Sequence, residues 1–206
     1  MKRYYLSGIA VVAGAVLSAL IGAGAASATE LCSTATTPCS GTKYGSGTEF
    51  EASALFPSIK TSIGTVTCGS SRISGETFSA GGSGATAVLG ELFFAELFGC
   101  TLSGTSCTAS EATLSSGFSF TGGSASTTAA FKYNVTRKMG WHLECGFLIN
   151  CTFTTSSAAL SGSNNFGHQT IKAEEVAMAR EGGLCPSSST WNASYETNAP
   201  SPLYVV

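Results

Sequence analysis

Eight cysteines, Cys32, Cys39, Cys68, Cys100, Cys107, Cys145, Cys151 and Cys185, all lie downstream of an export signal. In an oxidising compartment an even set of this kind is a disulfide framework, so the chain must adopt a fold that brings the sulfurs together in pairs. Eight cysteines allow about 105 pairings. Spacing favours three local ones: Cys32 with Cys39, Cys100 with Cys107, and Cys145 with Cys151, each spanning turn-capable residues such as Ser103-Gly104. Cys68 and Cys185 remain, and by elimination they are expected to bridge the domain. In the chain-entropy model a short loop contributes roughly 2–2.5 kcal/mol and the long Cys68–Cys185 loop about 5. Zinc is the competing use of the thiols. No CxxC spacing occurs, however, and oxidising surroundings disfavour free thiolates.

The export signal has three parts in order. Met1-Lys2-Arg3 is a basic start, Leu6 to Ala25 is uncharged and rich in Ala, Val, Leu, Ile and Gly, and Ala26-Ser27-Ala28 is a small-x-small cleavage site. This predicts a signal peptide over residues 1–28 and a single secreted domain over 29–206. A retained anchor is the alternative, but the run is glycine-rich and ends in a cleavage site. No cysteine follows it directly, so lipid attachment is not expected. No later stretch is apolar for long enough to span a bilayer.

The exported part is of one-domain size and can bury a core. Its charge is sparse and slightly acidic, without a basic block or stripe. A nucleic-acid partner is therefore not expected, because phosphate binding needs clustered Lys and Arg. All 12 acidic residues are glutamates. The absence of Asp excludes EF-hand loops, aspartic-protease dyads and a Ser-His-Asp triad.

Period-two alternation recurs along the chain. Phe50, Ala52 and Ala54 alternate with glutamates and Ser53. Phe118 and Phe120, then Phe131, Tyr133 and Val135, then Met139, Trp141, Leu143 and Cys145, then Trp191, Ala193 and Tyr195 do the same. Each run has one apolar and one polar face, as half-buried antiparallel strands do. Gly/Ser clusters at residues 81–84 and 122–124 read as turns. Many short strands, frequent turns and no long helical pattern predict an all-β chain. The expected form is an antiparallel, disulfide-stapled β-sandwich, immunoglobulin-like or jelly-roll-like, and the uneven strand spacing favours it over a barrel. Glu91 to Phe98 has no clear period and is expected as a buried strand. Glu174 to Arg180 is expected to form a short helical turn. Thr29 to Gly47 is expected as a loosely attached arm pinned by a disulfide.

Only His142 and His168 could serve as bases at neutral pH. His142 shares a polar strand face with Glu144, which allows a Ser-His-Glu site to be considered. Residues two apart on a strand are not expected to make the orienting contact that a triad needs, so solvated strand residues are the expectation. GxSxG, HExxH, Walker and dinucleotide glycine motifs are absent. Adjacent Glu174 and Glu175 point to opposite faces of a strand and do not read as a glycosidase pair. Trp141 and Trp191 fall on apolar faces and are expected in the core rather than as ligand platforms. Sequons at Asn134, Asn150 and Asn192 are within chance for a chain this rich in Ser and Thr.

The segment Leu143-Glu144-Cys145-Gly146-Phe147-Leu148-Ile149-Asn150-Cys151-Thr152-Phe153 and the closing run Leu184-Cys185-Pro186, Trp191 to Tyr195 and Pro200 to Val205 resemble uncharacterised secreted, cysteine-rich β-domain proteins of actinobacteria. The first half is similar more weakly, through Thr65-Val66-Thr67-Cys68 and Gly99-Cys100. The resemblance implies a secreted β-domain and supplies no site residues. The expected function is non-enzymatic: binding an unknown protein or cell-surface partner, or serving as a structural component of the cell envelope. No cofactor, no metal and no membrane span after signal removal are expected. The alternatives are an extracellular hydrolase with a Ser/His/Glu-type site and a small-ligand carrier.

Overall fold

A computed structural model describes residues 28–82, 84–114 and 116–206, with the side chains of residues 112–114 outside the description. The expected signal peptide, residues 1–28, therefore lies outside the described residues except for Ala28. The described chain is all-β, and every strand pairing is antiparallel. The first strands are β1 (Leu31–Cys32), β2 (Lys43–Tyr44), β3 (Glu49–Leu55), β4 (Ser58–Thr61), β5 (Gly64–Thr67) and β6 (Ser70–Thr77). They are followed by β7 (Ala87–Phe98), β8 (Cys100–Leu102), β9 (Thr105–Leu114), β10 (Ser116–Gly122), β11 (Ala130–Val135) and β12 (Met139–Cys145). The last are β13 (Ile149–Thr155), β14 (Ala158–Asn165), β15 (His168–Ala177), β16 (Ala179–Leu184), β17 (Ser189–Ala199) and β18 (Tyr204–Val205).

Eight strands, in the order β3, β6, β7, β10, β11, β14, β15 and β17, form a ring that closes where β17 returns to β3. This corrects the sandwich expectation, since a sandwich leaves two open sheets. The reason is strand length. β17 has 11 residues, enough to pair with β3 through Tyr195–Ala199 and with β4 through Ser189–Asn192. A second row of strands then runs from β4 through β5, β8, β9, β12 and β13 to β16. It returns to β17 through the end of β15, where Val176 faces Trp191.

Inward positions follow the predicted parity. Phe50, Phe118, Phe120, Phe131 and Tyr133 fill the first ring, with Phe120 and Tyr133 centroids 5.2 Å apart and Phe118 and Tyr133 5.5 Å apart. Glycine makes room for them: the position a Cβ would take at Gly162 is occupied by the Phe131 ring, and at Gly90 by the Phe118 ring. Small eight-stranded barrels are filled by side chains in this way. Trp141 and Trp191 are buried as expected, 5.3 Å apart between ring centroids, and one continuous core joins the two rows of strands.

The disulfides correct the pairing by spacing. Cys32–Cys39 is present as expected. The others are Cys68–Cys100, Cys107–Cys145 and Cys151–Cys185. The close cysteines mark hairpins, and in each hairpin the two sulfurs reach outward to the next strand instead of toward each other. Cys100 faces Cys107 across β8–β9, yet the backbone ladder already joins that pair. The result is a row across the sheet in which disulfide and hairpin alternate. Closing sequence separations of 32, 38 and 34 residues, each bridge taken alone contributes about 4 kcal/mol in the chain-entropy model.

Three further expectations are corrected. Glu174–Arg180 is not helical: it spans the end of β15, which pairs with β17, and the start of β16, which pairs with β13, and so short a helical segment does not overcome its nucleation cost against these strand partners. Glu91–Phe98 is a strand, but Phe93 and Phe98 point outward. The arm from Thr29 is not loose. Thr29 and Leu31 are buried, and β1 sits between β2 and β18. Within that arm the buried Glu30 carboxylate accepts Lys43 at 2.6 Å and the Cys39 N–H at 2.8 Å. The Lys43 contact is the main cause that holds its pKa below the ordinary carboxylate value. A depressed acid stabilises the fold above its unfolded pKa, and that contribution is lost as pH falls through the folded value. Acid titration of stability should therefore show a loss starting below about 4.5 in the parent, with a smaller loss in Glu30→Gln; identical acid limbs would refute the ion pair.

The two tryptophans should also differ. The Trp141 indole N–H donates to the Ala95 carbonyl at 3.1 Å, whereas the Trp191 N–H has no protein acceptor among the described residues. Trp141→Phe should cost about 1–3 kcal/mol more than Trp191→Phe in urea unfolding, since it leaves a buried carbonyl unpaired. Equal costs would rule out the Ala95 bond.

Candidate functional site

Two places bring chemistry-bearing side chains together on the outside of the sheet. The first surrounds His142 on β12. Its Nδ1 lies 3.0 Å from the Thr152 hydroxyl on β13, its direct cross-strand partner. Its Nε2 lies 3.3 Å from Glu144 Oε1, which also accepts Asn150 Nδ2 at 3.2 Å. The expectation that His142 and Glu144 would not touch is thus corrected. Residues two apart on one face are about 6.6 Å apart along the strand, a gap that the long glutamate and the imidazole span together.

The order hydroxyl, imidazole, carboxylate is that of an activated nucleophile. The surroundings differ from such a site. β12 is paired on both sides, by β9 and β13, and β13 is paired by β12 and β16. Their backbone N–H groups serve the ladder and are not aimed at the place where an oxyanion would form. His168, at the start of β15, stands apart from this line; its Nδ1 is 3.4 Å from the Thr197 carbonyl oxygen. Incubation with a fluorophosphonate probe should leave Thr152 unlabelled. Labelling abolished by His142→Ala would make this line a working nucleophile.

The second place is the outer face of β3, β6 and β7, which the sequence did not single out. Ser74 pairs with Phe94 and Gly75 with Leu92, so Phe93 is an extra residue in β7. This bulge turns both Phe93 and Phe94 outward, and it is why the run showed no period of two. Leu55 on β3, Ser70 on β6 and Phe98 on β7 stand in one row, with Phe56 next to Leu55. Leu55, Phe56, Phe93 and Phe98 are 74%, 73%, 59% and 45% exposed. Phe56 has a φ of 53°, uncommon for a bulky residue, and its N–H donates to the Gly69 carbonyl at the β3–β4 corner. From Leu89 to Phe98 the outer side of β7 is about 30 Å long.

Glutamates alternate with these apolar side chains. Glu49, Glu76 and Glu91 stand directly opposite one another on β3, β6 and β7. A groove of about 280 Å³ beside them is lined by Glu49, Glu51, Arg72, Glu76 and Phe93. Arg72 pairs with Glu51 and lies 6.0 Å from the centre of the Phe94 ring. Nearby, partial burial and then the Glu96 charge raise the Glu111 pKa, while a backbone hydrogen bond with Ala95 opposes them.

Among the described residues, no group of His, Cys, Asp and Glu is placed to hold a metal ion. Comparison with protein-family models, with curated proteins and with solved structures finds no match.

Proposed function

We propose that this chain is a non-enzymatic secreted or cell-envelope domain that works by binding, and that its binding surface is the outer face of β3, β6 and β7. The observation that carries this reading is the set of exposed Leu55, Phe93 and Phe98, with exposed Phe56 at the adjoining β3–β4 corner, on a barrel whose first ring is filled by aromatic side chains. Apolar side chains gathered on one face mark an interaction site more often than scattered ones do. Ring closure removes the free sheet edges of the first barrel, so strand addition by a partner is not open there. On that barrel a partner is met through side chains.

Supporting features point the same way. Four disulfides suit an oxidising, extracytoplasmic setting. The signal sequence over residues 1–28 and the likeness to exported actinobacterial β-domain proteins fit export. The aromatic filling of the first ring competes with the space that a small-ligand carrier needs.

The triple variant Phe56→Ser, Phe93→Ser, Phe98→Ser tests the reading in cells that export the protein. The thermal midpoint should hold within a few degrees, because all three rings are outside the core, while the protein shifts from the envelope fraction to the medium. An unchanged distribution would overturn the reading.

A further inference from the structure

We infer that the face of β3, β6 and β7 is built for a cationic polypeptide segment, one that lays Arg or Lys side chains over the phenylalanine rings and against the glutamates. This rests on the binding reading above and names the chemistry of its partner.

Charge complementarity selects the occupant. Glu49, Glu51, Glu76, Glu91 and Glu96 share the face, and Arg72 is the cation among them. Arg137 borders it, beside Phe78, Leu89 and Glu91 at the far end. Among the described residues, Glu49, Glu76, Glu91 and Glu96 form no ion pair, and Arg72 already serves Glu51. Directly opposed like charges on neighbouring strands destabilise a sheet. The row of Glu49, Glu76 and Glu91 therefore works against the free fold, and a bound cation relieves it.

Arg72 displays the mode of binding. Its guanidinium takes a carboxylate from Glu51 and the face of the Phe94 ring at once. A planar cation suits both contacts, and the combination is stronger where water is partly excluded. Phe93, one residue along and facing the same groove, offers a second ring beside carboxylates that lack a cation. The alternation of apolar and acidic residues along β7 repeats this arrangement over several positions, which fits an extended segment better than a single small cation. A second copy of this chain would bring glutamates against glutamates, and an anionic bilayer would be repelled.

The test uses the oxidised exported chain and three fluorescein-labelled eight-residue peptides: alternating Arg and Leu, the same with citrulline for Arg, and the same with Glu for Arg. Citrulline keeps the planar group and removes the charge. By fluorescence anisotropy the Arg peptide should bind, the citrulline peptide at least tenfold more weakly, and the Glu peptide not at all. Raising salt should weaken the Arg complex. The variant E49Q/E76Q/E91Q should lose at least tenfold in affinity while unfolding at the same temperature or higher, which a merely structural role would not produce. F93S/F98S should also weaken binding.

Equal binding of the Arg and citrulline peptides, no binding of the Arg peptide, or an unchanged E49Q/E76Q/E91Q variant overturns the inference. If the citrulline peptide binds as well and depends on Phe93 and Phe98, the face is a binding surface of another selectivity and the broader reading stands. If binding is also indifferent to F93S/F98S, both fail. Self-association in sedimentation that F93S/F98S abolishes would assign the face to a second copy instead.

Discussion

β17 is the strand on which the architecture depends. It pairs with β3, β4 and β15, so it belongs to the closed ring and to the second row of strands at once. Trp191 sits on its inner side near the point where β15 leaves toward β16, packed against Trp141 from the second row. Tyr195, also inward, bonds Ser71, whose hydroxyl donates to the Glu96 carbonyl oxygen. Burial raises the Tyr195 phenol pKa, so it stays neutral and serves as a donor. One strand thus connects the two packing centres and the sheet region beneath the exposed face.

The disulfides protect the part of the molecule that β17 reaches least. In the row that runs from β5 through β8, β9, β12 and β13 to β16, β8–β9 and β12–β13 are hairpins, while β5–β8, β9–β12 and β13–β16 join strands far apart in the chain. Three bridges fasten the joints that the hairpins leave: β5 side to β8, β9 to β12, and β13 to the end of β16. Cys68, Cys100, Cys145 and Cys151 are all buried, so the bridges also serve as core. A chain low in charge and rich in Gly, Ser and Thr gains order from this without large side chains in every strand.

The exposed face follows from the same closure. With edges consumed by pairing and the interior filled by Phe50, Phe118, Phe120, Phe131 and Tyr133, the outer side chains are what the barrel offers to a partner. The bulge at Phe93 adds to that side without changing the inward register of Leu92 and Ala95. It lets β7 carry both core and surface aromatic residues in neighbouring positions.

Local chemistry was legible in the residues. Alternation at Phe50–Ala54, Phe131–Val135 and Met139–Cys145 placed strands and inward faces correctly, because side-chain direction along a strand is set by the backbone alone. The all-β class, the burial of both tryptophans and the Cys32–Cys39 bridge followed for similar reasons. Partner choice was not legible. Whether Cys107 bonds Cys100 or Cys145, and whether β17 meets another sheet or closes a ring, depends on which strands lie side by side. Period-two patterns are identical for every such arrangement. His142 and Glu144 looked merely parallel until Thr152 and Asn150 arrived from β13, and Phe93 looked like core until a one-residue bulge turned it outward. The sequence by itself determined which residues face in and which compartment suits the cysteines; the tertiary structure decided which strands, sulfurs and surface side chains meet, because those contacts join residues far apart in the chain and carry no local signature.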